Sequence, residues 1–444
     1  MMVKPGTSRA RLVAHLLLNG PRHRAELARA LSISRGTTTT IVQQLLQEGI
    51  LVDGVDGVDG SGPATHDGPA TSDRAASGRP DRSSRPAGEG TSGGGGVPGP
   101  AGPTGRTRLK QKLGISHRRG VFAHVTFQAT ASIVAITALD GRVLAHDVRE
   151  RPSLPRAADW LEVAHAQFHE QLGQLDLSAD AVVHLHAAVN SQVDRLTGEI
   201  LDAEVAGPWK GTQPHRELAA WVPRAGLSFE NTARLLTLAE SLVLGRQEGS
   251  LLRLELSWGI GMGQVFNGQI VTGVHGASGE LGHVSIDAAG PLCGCGRRGC
   301  LWLYAGAGKV IDRVRTVLGP TAELPELARA AAEGNSTCRR ELSKAGDAVG
   351  EALATVCNLL GPDVVAIGGE LSVLGEPLLN AIRQRLMQQV LPLTARHLEL
   401  LLSRVGDDPV PIISAAHTSL LNDEDVVASA LHRALGLPAP DPRA

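Results

Sequence analysis

The stretch GELGHVSIDAAGPLCGCGRRGCLW, Gly279 to Trp302, gathers one histidine and three of the chain's five cysteines where few other metal-capable side chains occur. Cys293, Cys295 and Cys300 offer three thiolates, and His283 just upstream offers an imidazole. Together they make a complete tetrahedral shell with no open position, the donor set of a structural zinc ion. Glycines 290, 294, 296 and 299 let the backbone fold tightly around such an ion. Cys-Gly-Cys-Gly is no core pattern, so buried small apolar side chains explain it poorly. A redox role is the minor competitor.

Outward from this cluster, composition sets the frame. At 444 residues and 42% hydrophobic content the chain exceeds what one core organises, so it is read as multi-domain. No window approaches the ~20 uninterrupted apolar residues of a membrane span. The start, MMVKPGTSRARLVAHLLLNG, has charges where a signal peptide keeps its apolar segment, and a cytoplasmic location with no membrane partner is expected. Five cysteines in so long a chain are no disulfide framework.

The net charge of −2 hides an uneven distribution. Residues 1–51 carry seven basic side chains against two acidic ones, and 106–119 add six basic side chains with no acid. A polyanionic partner shared by the two segments explains both. Between them, Val52 to Gly105 is dominated by Gly, Pro, Ser, Ala and Asp and cannot bury enough apolar surface to order itself. Residues 53–104 are therefore expected to form a disordered insertion, and 436–444 a flexible tail.

SRARLVAHLLLNG, with Leu12, Val13, Leu16 and Leu17 on one face and Gly20-Pro21 as a stop, predicts an amphipathic helix. HRAELARAL predicts a second, short one. Ser34 caps a third, in which Thr38, Ile41, Val42 and Leu45 face inward. Arg35, Thr37, Thr39, Thr40 and Gln43 are left on or beside the outer face, suited to base edges and phosphates. A plain solvated face is the competing explanation. The turn LSISRG, the basic surroundings and the following ILVDG strand favour a helix-turn-helix over residues 1–52. GRTRLKQKLGI alternates as a strand should, so 105–119 would return as the second strand of a wing, with Arg106, Arg108 and Lys110 against phosphates. The insertion would then sit at the wing tip.

From Gly120 the pattern is α/β: two or three β-branched strands with Asp140-Gly141 as a hairpin signal, a helix at ADWLEVAHAQFHEQL, and a strand at AVVHLHAAVN. SWGIGMG and IGGEL are strand-to-glycine turns that either cradle phosphates or are ordinary tight turns.

GELGHVSI…CGCGRRGC, together with SWGIGMGQVFNGQIVTGVHGASGELGH, FENTARLLTLAE and NLLGPDVVAIGGEL, resembles the ROK family of sugar kinases and sugar-responsive repressors. The resemblance covers most of 120–435. It implies a two-lobed, actin-like or ribonuclease-H-like α/β domain behind an N-terminal winged helix-turn-helix, as in the family's repressors. It also places the zinc ligands at His283, Cys293, Cys295 and Cys300. Two kinase features are replaced. HVTFQATASIV stands where the family's kinases carry an Asp-x-Gly-Gly-Thr-Lys-like phosphate loop. Asn231-Thr232-Ala233-Arg234 stands where they carry Asn-Asp-Ala-Asn, so Thr232 occupies the position of the general base. Of the family's sugar-holding residues Asn231, Glu280 and His283 remain, while Trp302 replaces a glutamate. Its indole would either stack on a ligand or fill the pocket. The expectation is a catalytically inactive, DNA-binding regulator, a repressor of carbohydrate-related genes. It would act as a homodimer or homotetramer on a double-stranded inverted repeat and respond to a sugar or sugar derivative. The alternative is a ROK sugar kinase with an accessory DNA-binding domain.

Overall fold

The computed structural model describes residues 7–55, 111–150, 156–201 and 204–438. Thr7 caps α1 (Ser8–Asn19) by accepting from the Ala10 N–H, and Gly20, at φ 73°, ends it. Its inward stripe is Leu12, Val13, Leu16 and Leu17, all fully buried. α2 (Arg24–Ala30) opens with a capping box between His23 and Glu26. Ser34 Oγ accepts from Thr37 N at 3.0 Å to start α3 (Arg35–Gln47). This helix buries Thr38, Val42 and Leu45, whereas Ile41, expected inside with them, is only half-buried.

β1 (Leu51–Asp53) pairs antiparallel with β2 (Leu113–Ile115), Leu51 opposite Ile115 and Asp53 opposite Leu113. The Lys112 carbonyl accepts from Gly54 and Val55, so the chain leaves and re-enters the described region at one point, the tip of this pair. Apart from Asp53–Val55, the segment 53–104 expected to be an insertion lies outside the described residues. So do Arg106, Arg108, Lys110 and the tail from 439 onward.

A first sheet follows. β3 (Val121–Phe127), β4 (Ala131–Ala138) and β5 (Val143–Glu150) form an antiparallel meander. α4 (Ala157–Gln174) packs on β4 and leads to β6 (Val182–Val189), parallel to β3. α5 (Pro214–Trp221) precedes β7 (Gly226–Asn231), parallel to β6. All of β3 and β4 is buried, as strands covered on both faces must be. α6 (Thr232–Val243) leaves β7 without a loop.

The second sheet begins with the meander β8 (Ser250–Leu256), β9 (Ile260–Phe266) and β10 (Gln269–Ile270). Asn267-Gly268, at φ 48° and 76°, turns the β9–β10 hairpin. After the histidine–cysteine loop come α7 (Trp302–Ala305), α8 (Ala307–Leu318), α9 (Leu324–Ala332) and the long α10 (Ser336–Leu360). β11 (Val364–Gly368) then runs parallel to β8; α11 (Gly375–Gln389) and α12 (Pro392–His397) lead to β12 (Glu399–Leu402), parallel to β11. α13 (Val410–Leu421) and α14 (Glu424–Leu435) complete the elements. The sheets are ordered β5-β4-β3-β6-β7 and β10-β9-β8-β11-β12, one topology used twice. This is the two-lobed α/β architecture expected.

α6 and α13 join the lobes: Leu235, Leu238 and Ala239 pack with Ile133 and Ala188 of one sheet, Val265 of the other, and Ile412 and Ala416. The N-terminal module is docked as firmly. Its α1 stripe, Leu113 and Ile115 share one core with Phe122, Leu139, Leu420, Leu431 and Ala434. The fully buried Asp140 carboxylate accepts from Ile115 N and from Arg142 Nε, and Arg142 Nη2 donates to the Ile115 carbonyl at 2.6 Å. Asp140, read from sequence only as part of a hairpin turn, thus holds β2 at the Ile115 N–H, and its partner Arg142 holds the Ile115 C=O.

Candidate metal centre, ligand pocket and nucleic-acid interface

The histidine–cysteine loop is folded by short backbone pairs, Ser285 with Cys300 and Leu292 with Arg298. Gly299, at φ 63°, approaches the Asp287 carbonyl so closely that any side chain would collide with it. This brings His283, Cys293, Cys295 and Cys300 together, with their donor atoms all within 4.8 Å of one another. Cys293 Sγ lies 3.7 Å from His283 Nδ1, and Cys295 Sγ lies 3.5 Å from Cys300 Sγ. Four donors held ~2.0–2.3 Å from a common tetrahedral centre stand about this far apart. All three cysteines are free thiols. Burial and the neighbouring sulfurs push the Cys300 thiol up to about 12. Burial, then Arg297, lowers the His283 imidazole and so favours the neutral, ligating form. The residues fit a closed metal shell. A zinc ion there would staple the loop and fix the His283 ring, leaving Nε2 on the edge away from the metal.

The residues expected to hold a ligand lie at the start of α6 (Asn231), just before and in the histidine–cysteine loop (Glu280, His283) and at the start of α7 (Trp302). Asn231 is the N-cap: Oδ1 accepts from Ala233 N at 2.9 Å and Nδ2 donates to the Ser191 carbonyl at 2.9 Å. One N–H and one lone pair of its amide are left for another partner. Thr232 is buried and its hydroxyl donates to the Phe127 carbonyl at 2.9 Å, tying α6 to the end of β3. Glu280 is half-buried; burial raises its carboxyl, and nearby Arg234 opposes that. Trp302 is pinned. Its Nε1 donates to the Trp258 carbonyl at 2.6 Å, and Lys309 Nζ sits 4.9 Å from the ring centroid. The indole's one donor is therefore already used.

The two strand-to-glycine turns lie side by side, with Glu255 of β8 paired in register with Gly368 of β11. Arg253, buried against Gly368, binds Glu240 and Glu255, while Ser257 Oγ donates to Glu255 at 3.0 Å. Glu370 is next to them with its carboxyl raised by burial. A phosphate placed at these turns would meet carboxylates. At the β3–β4 turn, within HVTFQATASIV, Gln128 N closes directly on the Ala131 carbonyl.

On α3, Arg35, Thr37, Thr39, Thr40 and Gln43 are all exposed. Thr39 and Thr40 donate to the carbonyls of Arg35 and Gly36, and Thr37 shares a hydrogen bond with Ser34. Their hydroxyl oxygens keep an accepting lone pair. Arg9 and Arg24, by contrast, are paired with Glu48 and Asp53. Part of the basic excess read from sequence is thus internal bracing.

Two features escaped sequence reasoning. Arg234, read only as a departure from a motif, is a buried hub paired with Glu230. His124, His184, His186 and His417 lie buried on one side of the first sheet, with rings of His124 and His186 6.4 Å apart and of His124 and His417 6.1 Å apart. The alternation in VVHLHAAV marks His184 and His186 as sharing a face, but nothing local says that this face is covered.

A family model described as the ROK family matches residues 129–416. The chain is 29% identical to a glucokinase of Thermotoga maritima over 231 residues, covering 49% of this chain and 73% of that one. It is also 29% identical to a xylose repressor of Bacillus spizizenii over 163 residues, 36% of this chain and 42% of that one. The structure superposes with a TM-score of 0.65 on a ROK family transcriptional regulator, a homologue of the E. coli MLC protein; that match is 20% identical and covers 96% of this chain and 99% of the other. Among the described residues, no helix is long and apolar enough to cross a membrane.

Proposed function

Because the chain belongs to the ROK family, we propose that it is a DNA-binding transcriptional regulator, a repressor of carbohydrate-related genes whose kinase-like domain senses a ligand and transfers no phosphate. The observation that carries this is the exposed Arg35–Gln43 face of α3 on a module whose core is continuous with the first lobe. A helix so placed can enter a major groove, and its orientation follows the lobe beneath it. The Asp140–Arg142 clamp on β2 is the polar part of that coupling. The regulator's fold spans nearly the whole chain, and the xylose repressors among the relatives agree with this assignment.

The similarity to glucokinase favours a second reading, a sugar kinase with an accessory module. Thr232 weighs against it. Its hydroxyl has far too high a pKa to accept a proton near neutrality and is spent on the Phe127 carbonyl. Loss of a base costs about 10²–10⁴ in rate, and carboxylates at the glycine turns oppose a nucleotide's phosphates. In this account zinc at His283, Cys293, Cys295 and Cys300 is structural, and Asn231, Glu280 and His283 hold a sugar or sugar derivative. Trp302 fills the space where a further carboxylate would bind, and two or four copies act together on an inverted repeat.

Genome-wide mapping of the DNA bound by the chain tests this. Discrete palindromic sites beside carbohydrate genes are expected. Uniform, sequence-independent occupancy together with ATP-dependent phosphorylation of a hexose would overturn it.

A further inference from the structure

We propose that the ligand held between α6 and the Glu280 loop carries an anionic oxygen group, a carboxylate or a phosphate, and that Arg234 selects it; this rests on the sensor role proposed above. Arg234 lies on the first turn of α6, one turn beyond Asn231, and is 1% exposed. Its Nε donates to Glu230 Oε1 at 2.6 Å and its Nη1 to the Ser278 carbonyl at 2.8 Å. The guanidinium therefore spans from the helix start that carries Asn231 to the segment that carries Glu280.

Nη2 is different. It is buried and has no hydrogen-bond partner. It lies beneath Gly276, 3.3 Å from where a Cβ on that residue would sit, a point that is also 3.0 Å from the Val193 carbonyl oxygen, so a glycine is what lets the backbone close over the group. A buried N–H without a partner is costly, and an oxygen acceptor placed against it would relieve that cost.

Charge around it agrees. Glu230 Oε1, the counter-charge, also accepts from Asn231 N at 2.7 Å and is shared between two donors. The N-terminus of the twelve-residue α6 adds partial positive charge on the same side. Arg195 stands at the rim, its Cβ 3.3 Å from the same Gly276 position and its N–H bonded to the His275 carbonyl. Turn residues Gly273 and Gly276, at φ 69° and 79°, fold the chain over the guanidinium, with Val274 78% exposed. Glu280 suits sugar hydroxyls as an acceptor. Nη2 suits an anionic oxygen, to which charge-assisted hydrogen bonds are roughly twice as strong as neutral ones.

The test is calorimetric titration of the full chain with matched sets: glucose, galactose and mannose, each as the neutral sugar, the uronate and the 6-phosphate, with inorganic phosphate alone as a further probe. At least one uronate or 6-phosphate is expected to bind about tenfold or more tighter than its neutral parent. The two anionic arms tell a carboxylate ligand from a phosphorylated one. Because Arg234→Gln alone strands Glu230 in the interior, the double variant Glu230→Gln/Arg234→Gln removes both charges together, and its anion preference should vanish. Equal or tighter binding of the neutral parents, no binding of any anionic sugar, or a preference that survives the double variant would overturn the inference. Operator binding, measured on the same wild-type sample without sugar, separates the two ideas. Its presence with no anion preference sinks only this proposal, whereas its absence sinks the regulator.

Discussion

Acid should unfold the first lobe through its four buried histidines. His124 Nε2 is 3.0 Å from Thr137 Oγ1, which is 3.3 Å from His417 Nδ1, while His124 Nδ1, His184 Nε2, His186 Nδ1 and His417 Nε2 have no partner. Burial lowers His184 and His417 to about 4 and His186 to about 3. His124 is also held well below its ordinary value, by burial and then by the other three imidazoles. Asp423 facing His184 pulls the other way, and Arg195 facing His186 adds to the depression. Since the folded values lie below the unfolded 6.5, the neutral rings favour the fold above that pH, and the advantage is lost as pH falls from 6.5 toward 4. A ring that stays neutral at pH 5 while its unfolded counterpart is protonated costs about 2 kcal/mol, so His184, His186 and His417 together cost roughly 6 kcal/mol, and His124 acts in the same direction. That is comparable to the whole stability of a domain, ~5–15 kcal/mol.

Urea unfolding at pH 7, 6 and 5 measures this, with His184, His186 and His417 contributing a slope between pH 6 and 5 that approaches three protons taken up per molecule unfolded, and His124 adding to it. Asp140, Glu280 and Glu370, raised by burial, gain stability on acidification and work against that slope. The decisive comparison is therefore with His417→Gln, which should lower the slope by about one proton. A urea midpoint that stays level from pH 7 to 5, or a slope unchanged in His417→Gln, would show that the buried histidines do not govern acid stability.

Other expectations follow from the same geometry. Elemental analysis of chelator-free protein should find one zinc per chain, and Cys295→Ser should release it and lower the melting temperature, because structural zinc binding is coupled to folding; a full complement of metal in Cys295→Ser would contradict the four-ligand assignment. No ATP-dependent phosphorylation of glucose, N-acetylglucosamine, mannose or xylose should be detectable by coupled assay, and measurable turnover would return Thr232 to question. Trp302→Glu, which frees the Trp258 carbonyl and supplies an acceptor, should tighten sugar binding several-fold; tight wild-type binding that weakens in this variant would show the indole to be a platform for the ligand.

Local periodicity made much of the fold legible. Leu12, Val13, Leu16 and Leu17 are buried because a 3.6-residue repeat admits one apolar face, and Ser34 caps α3 because a short hydroxyl side chain satisfies its free N–H groups. The convergence of His283, Cys293, Cys295 and Cys300 was legible because they are close in sequence. What stayed hidden is non-local. Asp140 is bonded to a backbone amide 25 residues away and Trp302 to a carbonyl 44 residues away. Ile41 is half-buried because the docked lobe meets α1, β1 and β2 and leaves the flank of α3 open, which a helical wheel cannot foresee. Arg234 stood in plain view as a motif change, but only the fold shows that Ser278 and Gly276 close over it.

In the proposed regulator, α3 reads DNA. Fluorescence anisotropy of an operator identified by genome-wide mapping, titrated with wild type and Arg35→Ala, tests it most directly. The wild type should bind an inverted repeat with half-sites about one helical turn, or a multiple of it, apart. Arg35→Ala should lose about 1–3 kcal/mol on that sequence while its binding to random duplex falls far less. Equal affinity of wild type and Arg35→Ala for the operator would show that the outer face of α3 does not read it.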